Sequence, residues 1–430
     1  MDNLRSCLGI VSIFLIAYML SENRKHISFR FLISGLALQF VIAILLLKVP
    51  IVSSLFQGVA YLVNELIGKA DAGIQFVFGG HLADPRGPVG FVFAVRVLPI
   101  IVFFSSLISV LYYLNVMQTI ISSLAWVLRR VLRITGMEAT VLSANVFVGQ
   151  IEAPLCIKPY IAHLTRSQIA TLMVSGFATI AGTVLVAYVT FLGGYGGEDD
   201  SQRIFFLTHI LTASVMSAPA AFIAAKMIVP ETGIPFDLSA HSVYEIRRGH
   251  NLFDAAAIGA TDGLKLAANI AAMLLAYVSL LALINWPVEK LGALLFGDTI
   301  QLSIQVLLGW ILQPIAWLIG VSAHDASIVG RLVGEKLILT EFIAYKSLGA
   351  LIYDPSGPKL SDRSIVIATY ALCGFANFAS IAIQIGALTS LAPTQRTTIV
   401  ELGFKTMLGG ALASLMTASI VGVLWGVGGI

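Results

Sequence analysis

The chain has 430 residues, 58% of them hydrophobic and 11% charged, with a mean hydropathy of +0.92. Soluble domains spend roughly a quarter of their residues on charge, so lipid is the main solvent and an ordinary water-soluble enzyme is excluded. The net charge of +3 is small and dispersed, which excludes a nucleic-acid partner; Cys7, Cys156 and Cys373 match neither metal nor disulfide spacing and read as packing residues.

In chain order, Met1 to Leu20 has little positive charge before its apolar run and no small-residue cleavage site, so it reads as a retained first span from Leu8 to Leu20. Further runs near the 20 or so apolar residues a spanning helix needs cover Phe29 to Leu47, Phe91 to Leu114, Ile169 to Leu192, Ile204 to Val229, Leu264 to Ile284, Ile365 to Leu391 and Phe404 to Trp425. That makes eight spans. Between the second and third, Pro50 to Gly90 contains an amphipathic segment, Val52 to Leu66, and a Gly/Pro turn at Gly79 to Pro85; an interfacial helix is expected there. Gly136–Tyr160 and Leu302–Tyr345 are apolar but interrupted, and each suits a re-entrant hairpin.

Basic loops set the orientation, because Lys and Arg in short loops stay cytoplasmic. They cluster at Arg24, Lys25 and Arg30, at Arg129, Arg130 and Arg133, at Lys158 and Arg166, at Arg247 and Arg248, and at Arg396. The acidic, glycine-rich run from Gly193 to Asp200 faces outside, and both termini then lie outside. Lys359 and Arg363 fall on the outer side as a mild exception.

A repeat emerges. The first interrupted stretch ends near Glu152 and precedes a span broken at Gly176–Gly182; the second ends near Glu341 and precedes a span broken at Gly374–Ser380. Matching interruptions in two inverted halves are the best sequence pointer to a transporter binding site. Asn145-Val146-Phe147-Val148-Gly149-Gln150-Ile151-Glu152-Ala153-Pro154-Leu155 places an amide and a carboxylate on bent backbone inside an apolar run. Such backbone is tolerated at membrane depth only against protein or a wet cavity. A carboxylate there costs at least ~2.5 kcal/mol and needs a partner or ligand. Asn377 and Ser380 fall on one helical face or flank an unwound turn; alone, such residues also serve simply to join helices. His324-Asp325 reads as a satisfied polar pair near a hairpin end, since a metal site needs several converging ligands. P-loop, H-E-x-x-H and G-x-S-x-G signatures are absent.

These motifs resemble the concentrative nucleoside transporter family, bacterial branch. The resemblance runs in order through Gly149-Gln150-Ile151-Glu152-Ala153-Pro154-Leu155, Ala178-Thr179-Ile180-Ala181-Gly182, Ser217-Ala218-Pro219-Ala220, Leu264-Lys265-Leu266, Ala282-Leu283-Ile284-Asn285, Glu341-Phe342-Ile343-Ala344-Tyr345 and Cys373-Gly374-Phe375-Ala376-Asn377-Phe378. It implies a homotrimer in a bacterial inner membrane that imports nucleosides such as uridine, cytidine or adenosine by an elevator motion coupled to a cation. Sodium is favoured and a proton is the alternative; no other cofactor is implied. It further implies that Gln150, Ile151, Glu152 and Val184 meet the nucleobase, with Phe375 also in the site, while Glu341, Asn377 and Ser380 hold the ribose. Sodium would lie on Asn145, the Val148 carbonyl, Thr179 and the Ile180 carbonyl. Ile151, Thr340 and Ala379 depart from the family pattern, and Ile151 removes a polar contact near the base.

The expected architecture is therefore an all-α polytopic membrane protein with eight spans, two re-entrant hairpins, an interfacial helix and an inverted repeat. Residues 1–115 and 231–290 form a scaffold; 116–230 and 291–430 form the two halves of a transport domain. An intramembrane enzyme using Glu152 and Glu341 as an acid–base pair is the reading from another class; it lacks a nearby nucleophile or metal.

Overall fold

The computed structural model describes residues 2–84, 89–193, 200–237, 249–297, 302–354 and 356–426. Its helices are α1 (Asp2–Met19), α2 (Phe29–Lys48), α3 (Pro50–Phe78), α4 (Gly80–Ala83), α5 (Phe93–Arg96), α6 (Leu98–Tyr113), α7 (Val116–Leu132), α8 (Gly136–Asn145), α9 (Arg166–Ala178), α10 (Gly182–Leu192), α11 (Asp200–Ile228), α12 (Leu252–Phe296), α13 (Ile304–Leu318), α14 (Ala326–Ile338), α15 (Glu341–Tyr353), α16 (Asp362–Leu372), α17 (Phe378–Leu391) and α18 (Arg396–Leu424). A 3-10 segment, Ala153–His163, follows α8. The protein is an all-α polytopic membrane protein, with eight helical stretches long and apolar enough to cross a bilayer among the described residues.

Those eight are not the expected eight. Pro50–Phe78 joins them as one 29-residue helix that starts on Pro50 and stops where Gly79 takes φ 76. It continues beyond Leu66 because its internal glycines, Gly58, Gly68 and Gly73, interrupt a helix far less than proline does. Its buried residues, Ala60, Asn64, Ile67, Ala70 and Ile74, trace a single face. The expected span Ile365 to Leu391 is instead two shorter helices, α16 and α17, parted at the break. The sequence reading missed α7 and underestimated α12, whose 45 residues begin at a cap where Asn251 accepts from the Asp254 amide at 2.9 Å. Cys7 is exposed, not packed, whereas Cys156 and Cys373 are buried. Residues 194–199 of the acidic loop and the Arg247–Arg248 pair lie outside the described residues.

The repeat is visible in helix order. Each half runs helix, tip, helical arm, helix, break, helix, long helix: α8 to α11 in the first and α14 to α18 in the second. The closing helices α11 and α18 are 29 residues each. Burial locates the core: an apolar 18-residue stretch of the α9–α10 span is 94% buried, whereas the corresponding stretch of α12 is 6% buried. The α12 helix lies along α6 through Gly259 and Gly263; a Cβ on Gly263 would stand 2.8 Å from the Val102 Cα, so only a bare backbone fits. Gln39 of α2 reaches between α11 and α18, donating to the Met216 carbonyl at 3.3 Å and the Thr417 hydroxyl at 3.1 Å.

Candidate functional site at the paired helix breaks

Two discontinuous helices meet at the centre of the repeat. α9 stops at Ala178, and Thr179 turns extended (φ −113, ψ 167) while its hydroxyl donates back to the Ser175 carbonyl at 2.8 Å. α10 restarts at Gly182. α16 stops at Leu372, and Gly374 takes φ 128, a conformation that favours glycine. A Cβ there would meet the Phe177 and Ala178 carbonyl oxygens at 2.8 and 2.9 Å, so one break is seated on the other. The Phe375 amide completes the join by donating to the Thr179 carbonyl at 3.3 Å.

The first tip, Val146 to Glu152, rests on this crossing. The Gly182 amide donates to the Phe147 carbonyl at 2.9 Å, and the Ser214 hydroxyl donates to the Val146 carbonyl at 2.7 Å. Both bonds satisfy tip carbonyls that would otherwise be costly away from water. The Gly149 carbonyl accepts from the Glu152 and Ala153 amides, closing the turn. Gln150 is buried, its carbonyl oxygen lacks a hydrogen-bond partner, and its Cβ packs against the bare backbone of Gly176. Ile151 is exposed and Glu152 half-buried at the start of the 3-10 arm, while Val184 is buried in the first turn of α10.

In the second half, Thr340 is the N-cap of α15 and Glu341 its first residue. Glu341 is buried, and each of its oxygens has a partner: the Tyr188 hydroxyl donates to Oε1 at 3.0 Å and the Asn377 amide to Oε2 at 2.8 Å. Asn377 caps α17, its side-chain oxygen accepting from the Ser380 amide at 2.8 Å. Glu341, Asn377 and Ser380 are thus one connected group, with Phe375 half-buried beside them in the chain.

Two contributors escaped the sequence reading. Tyr188 of α10 stacks on Tyr345 with centroids 4.6 Å apart and meets Phe342 edge-on at 4.9 Å, which fixes its hydroxyl toward Glu341. Lys336 is buried and donates to the Ala371 carbonyl at 3.0 Å and to the Ser414 hydroxyl at 3.1 Å, while the Ser414 hydroxyl donates to the Cys373 carbonyl at 2.6 Å. The end of α16 therefore finds its donors in side chains, as a helix end in a dry interior must. His324 and Asp325 are the satisfied pair expected, 2.9 Å apart, with Asp325 also accepting from the Ser361 amide and hydroxyl.

For a hard cation, the donor chemistry fits. Asn145 is fully buried; its amide donates to the Ser175 hydroxyl at 2.6 Å, leaving its oxygen without a hydrogen-bond partner. Thr179, one helical turn after Ser175, adds a buried hydroxyl oxygen. Two cavities of about 620 and 470 Å³ lie elsewhere and include none of the expected contact residues.

Comparison with known proteins agrees with this architecture. Models of the sodium-dependent nucleoside transporter C-terminus and N-terminus match residues 209–422 and 8–81, and one for nucleoside recognition matches 94–195. An uncharacterized transporter of Haemophilus influenzae is 43% identical, over 100% of this chain and 99% of that one. The nucleoside permease NupC of Helicobacter pylori is 37% identical, over 99% and 98%. The solved structure of CNTnw in an inward-facing substrate-bound state matches with a TM-score of 0.91 at 37% identity over the whole of both chains; variants of that protein have been captured outward-facing. Relatives named as transporters and permeases overturn the intramembrane-enzyme reading. This chain is a nucleoside transporter of the concentrative nucleoside transporter family.

Proposed function

We propose that the protein imports nucleosides across a bacterial inner membrane by sodium-coupled, elevator-type alternating access, as a homotrimer. The observation that carries this reading is Glu341: a buried carboxylate on bent backbone, oriented by Tyr188 from one half of the repeat and Asn377 from the other. A carboxylate accepts hydrogen bonds from two hydroxyls at once, and the neighbouring amide adds a donor, which together suit the 2′ and 3′ hydroxyls of ribose. Asn377 and Ser380 complete the sugar side. Gln150, Ile151, Glu152, Val184 and Phe375 form the base side; Gln150 brings a buried acceptor without a protein partner, ready for a base N–H.

Sodium would be held by the Asn145 and Thr179 side-chain oxygens with the Val148 and Ile180 carbonyls, at the junction of the first tip and the first break. When bound, it would supply positive charge to oxygens that the tip and the break both contribute, so those residues would hold the two segments together. The two hairpins are re-entrant, and they move with the broken helices against a scaffold formed by 1–115 and 231–290, which Gly259 and Gly263 lock together along α6. Inward- and outward-facing states of a 37% identical neighbour support the motion.

The test is uptake of radiolabelled uridine, cytidine and adenosine into proteoliposomes. Accumulation above equilibrium that requires a sodium gradient is expected. Uptake indifferent to sodium but dependent on a pH gradient would replace sodium with a proton, and mere equilibration would remove coupling.

A further inference from the structure

At the C-terminal end of α7 three guanidinium groups face one cavity. Arg129, Arg130 and Arg133 line a cleft of about 620 Å³ with Trp126, Ile134 and Asp237. Asp237 is the carboxylate in this lining, and it is already engaged: Oδ1 accepts from the Gly136 amide at 2.8 Å and Oδ2 lies 3.5 Å from Arg129. Among the described residues no carboxylate pairs with Arg130 or Arg133, so the cleft keeps uncompensated positive charge. Arginine near a helix C-terminus is favoured by the helix dipole alone, but the dipole explains neither the cavity nor its rim. Arg133 adopts φ 54 and ψ 44 as the C-cap, an uncommon backbone for arginine.

The surroundings indicate what anion belongs there. α7 buries Met117, Ile121, Ala125, Leu128 and Leu132 against the protein. Outward it presents Ile120, Val127 and Val131, with Thr119, Ser122 and Ser123 also exposed and Trp126 at 67% exposure beside the arginines. An apolar outer row ending in tryptophan and arginine is the pattern of a helix lying in a membrane interface. A soluble anion gains nothing from that row, whereas a lipid places its acyl chains along it.

We propose that this cleft binds the phosphate of an anionic phospholipid headgroup, held by the paired guanidinium forks of Arg130 and Arg133. The lipid's glycerol and chain region lies against Trp126 and the outer row of α7. The site is independent of which solute the protein carries.

The experiment is native mass spectrometry of the full chain in detergent, titrated with phosphatidylglycerol or phosphatidylcholine. Arg130→Gln combined with Arg133→Asn is compared with wild type; Asn tolerates the left-handed conformation at 133, and Arg130→Gln alone is an exposed change that leaves the backbone untouched. Wild type is expected to retain phosphatidylglycerol in preference to phosphatidylcholine. The double variant should bind phosphatidylglycerol about tenfold or more weakly, with a smaller loss for phosphatidylcholine, whose choline offsets the phosphate charge, and the single variant intermediate. Equal phosphatidylglycerol binding by all three proteins would overturn the proposal. So would displacement of the lipid by millimolar inorganic phosphate, which would mark a site for soluble anions.

Discussion

The hydroxyl of Tyr188 sits 3.0 Å from Oε1 of Glu341, joining α10 of the first half to α15 of the second across 153 residues of sequence. Because Asn377 takes the other oxygen, Tyr188 decides how the carboxylate is presented. Tyr188→Phe removes one donor and leaves the stacking on Tyr345 in place. A hydrogen bond to a charged group contributes about 1.5–3 kcal/mol, so the KM for uridine should rise roughly ten- to hundred-fold with the oligomeric state unchanged. Glu341→Gln should nearly abolish uptake. Initial-rate uptake with size-exclusion profiles of each variant checks both.

The crossing of the two breaks leaves no room for a side chain at Gly374. Gly374→Ala imposes φ 128 on a residue with a Cβ and drives that atom onto the Phe177 and Ala178 carbonyls. Strain of this kind costs about 1–3 kcal/mol before the clash is added, so uptake should fall to background and the unfolding temperature should drop. Gly58→Ala, where nothing lies within 4 Å, should change neither. Thermal unfolding in detergent alongside uptake separates the two positions.

Removing the lysine that satisfies the end of α16 should act on stability first. Lys336→Met fills the same space but strips the Ala371 carbonyl of its donor. A buried acceptor left unsatisfied costs about 1–3 kcal/mol. A lower midpoint of thermal unfolding is expected, with uridine affinity in the surviving folded fraction reduced less than in Tyr188→Phe.

Much of this centre was legible in the sequence because bent backbone announces itself. Gly149 and Pro154 around Gln150 and Glu152, and Gly374 before Asn377, are residues that make little sense inside a plain span. Their repetition in both halves located the crossing. Tyr188 was invisible for the opposite reason: a lone tyrosine in an apolar helix reads as packing, and only the fold aims its hydroxyl at Glu341. Nothing in the sequence singles out Lys336, since its carbonyl partners lie 35 residues or more along the chain. The extent of α3 and α12 was hidden because hydropathy marks where lipid begins and ends, whereas helices run on past it until a cap or a glycine such as Gly79 stops them.

Base preference should turn on Ile151, the exposed apolar residue between Gln150 and Glu152. Ile151→Thr puts a hydroxyl on the proposed base side of the site. Competition by cytidine, uridine and adenosine against labelled uridine should change rank order between the two proteins, by about tenfold for one hydrogen bond. Identical rankings would remove Ile151 from selection.

A surface cluster gives the protein an acid limit. Glu22, in the loop after α1, accepts from Arg166 at 2.9 and 3.0 Å and from Lys405 at 2.9 Å. The Arg166 guanidinium, outweighing partial burial, holds the Glu22 carboxyl down at about 2 from its ordinary 4.5. A depressed carboxylate stabilises fully above its unfolded value and loses that contribution as pH falls through its folded one. Wild type should therefore be more stable than Glu22→Gln at pH 7, and the gap should close between about pH 4.5 and 2. Melting curves across that window check it.

If Glu341 holds the ribose hydroxyls as proposed, the carboxylate and the sugar are energetically coupled, and binding can read that coupling. Equilibrium binding of uridine and 3′-deoxyuridine is measured for wild type and for Glu341→Gln in sodium. If the carboxylate receives that hydroxyl, deleting the hydroxyl weakens wild type by tenfold or more and the variant hardly at all, because the partner is already gone. Losses that simply multiply, each change acting as though the other were absent, would place the sugar away from Glu341 and remove it from the ribose site.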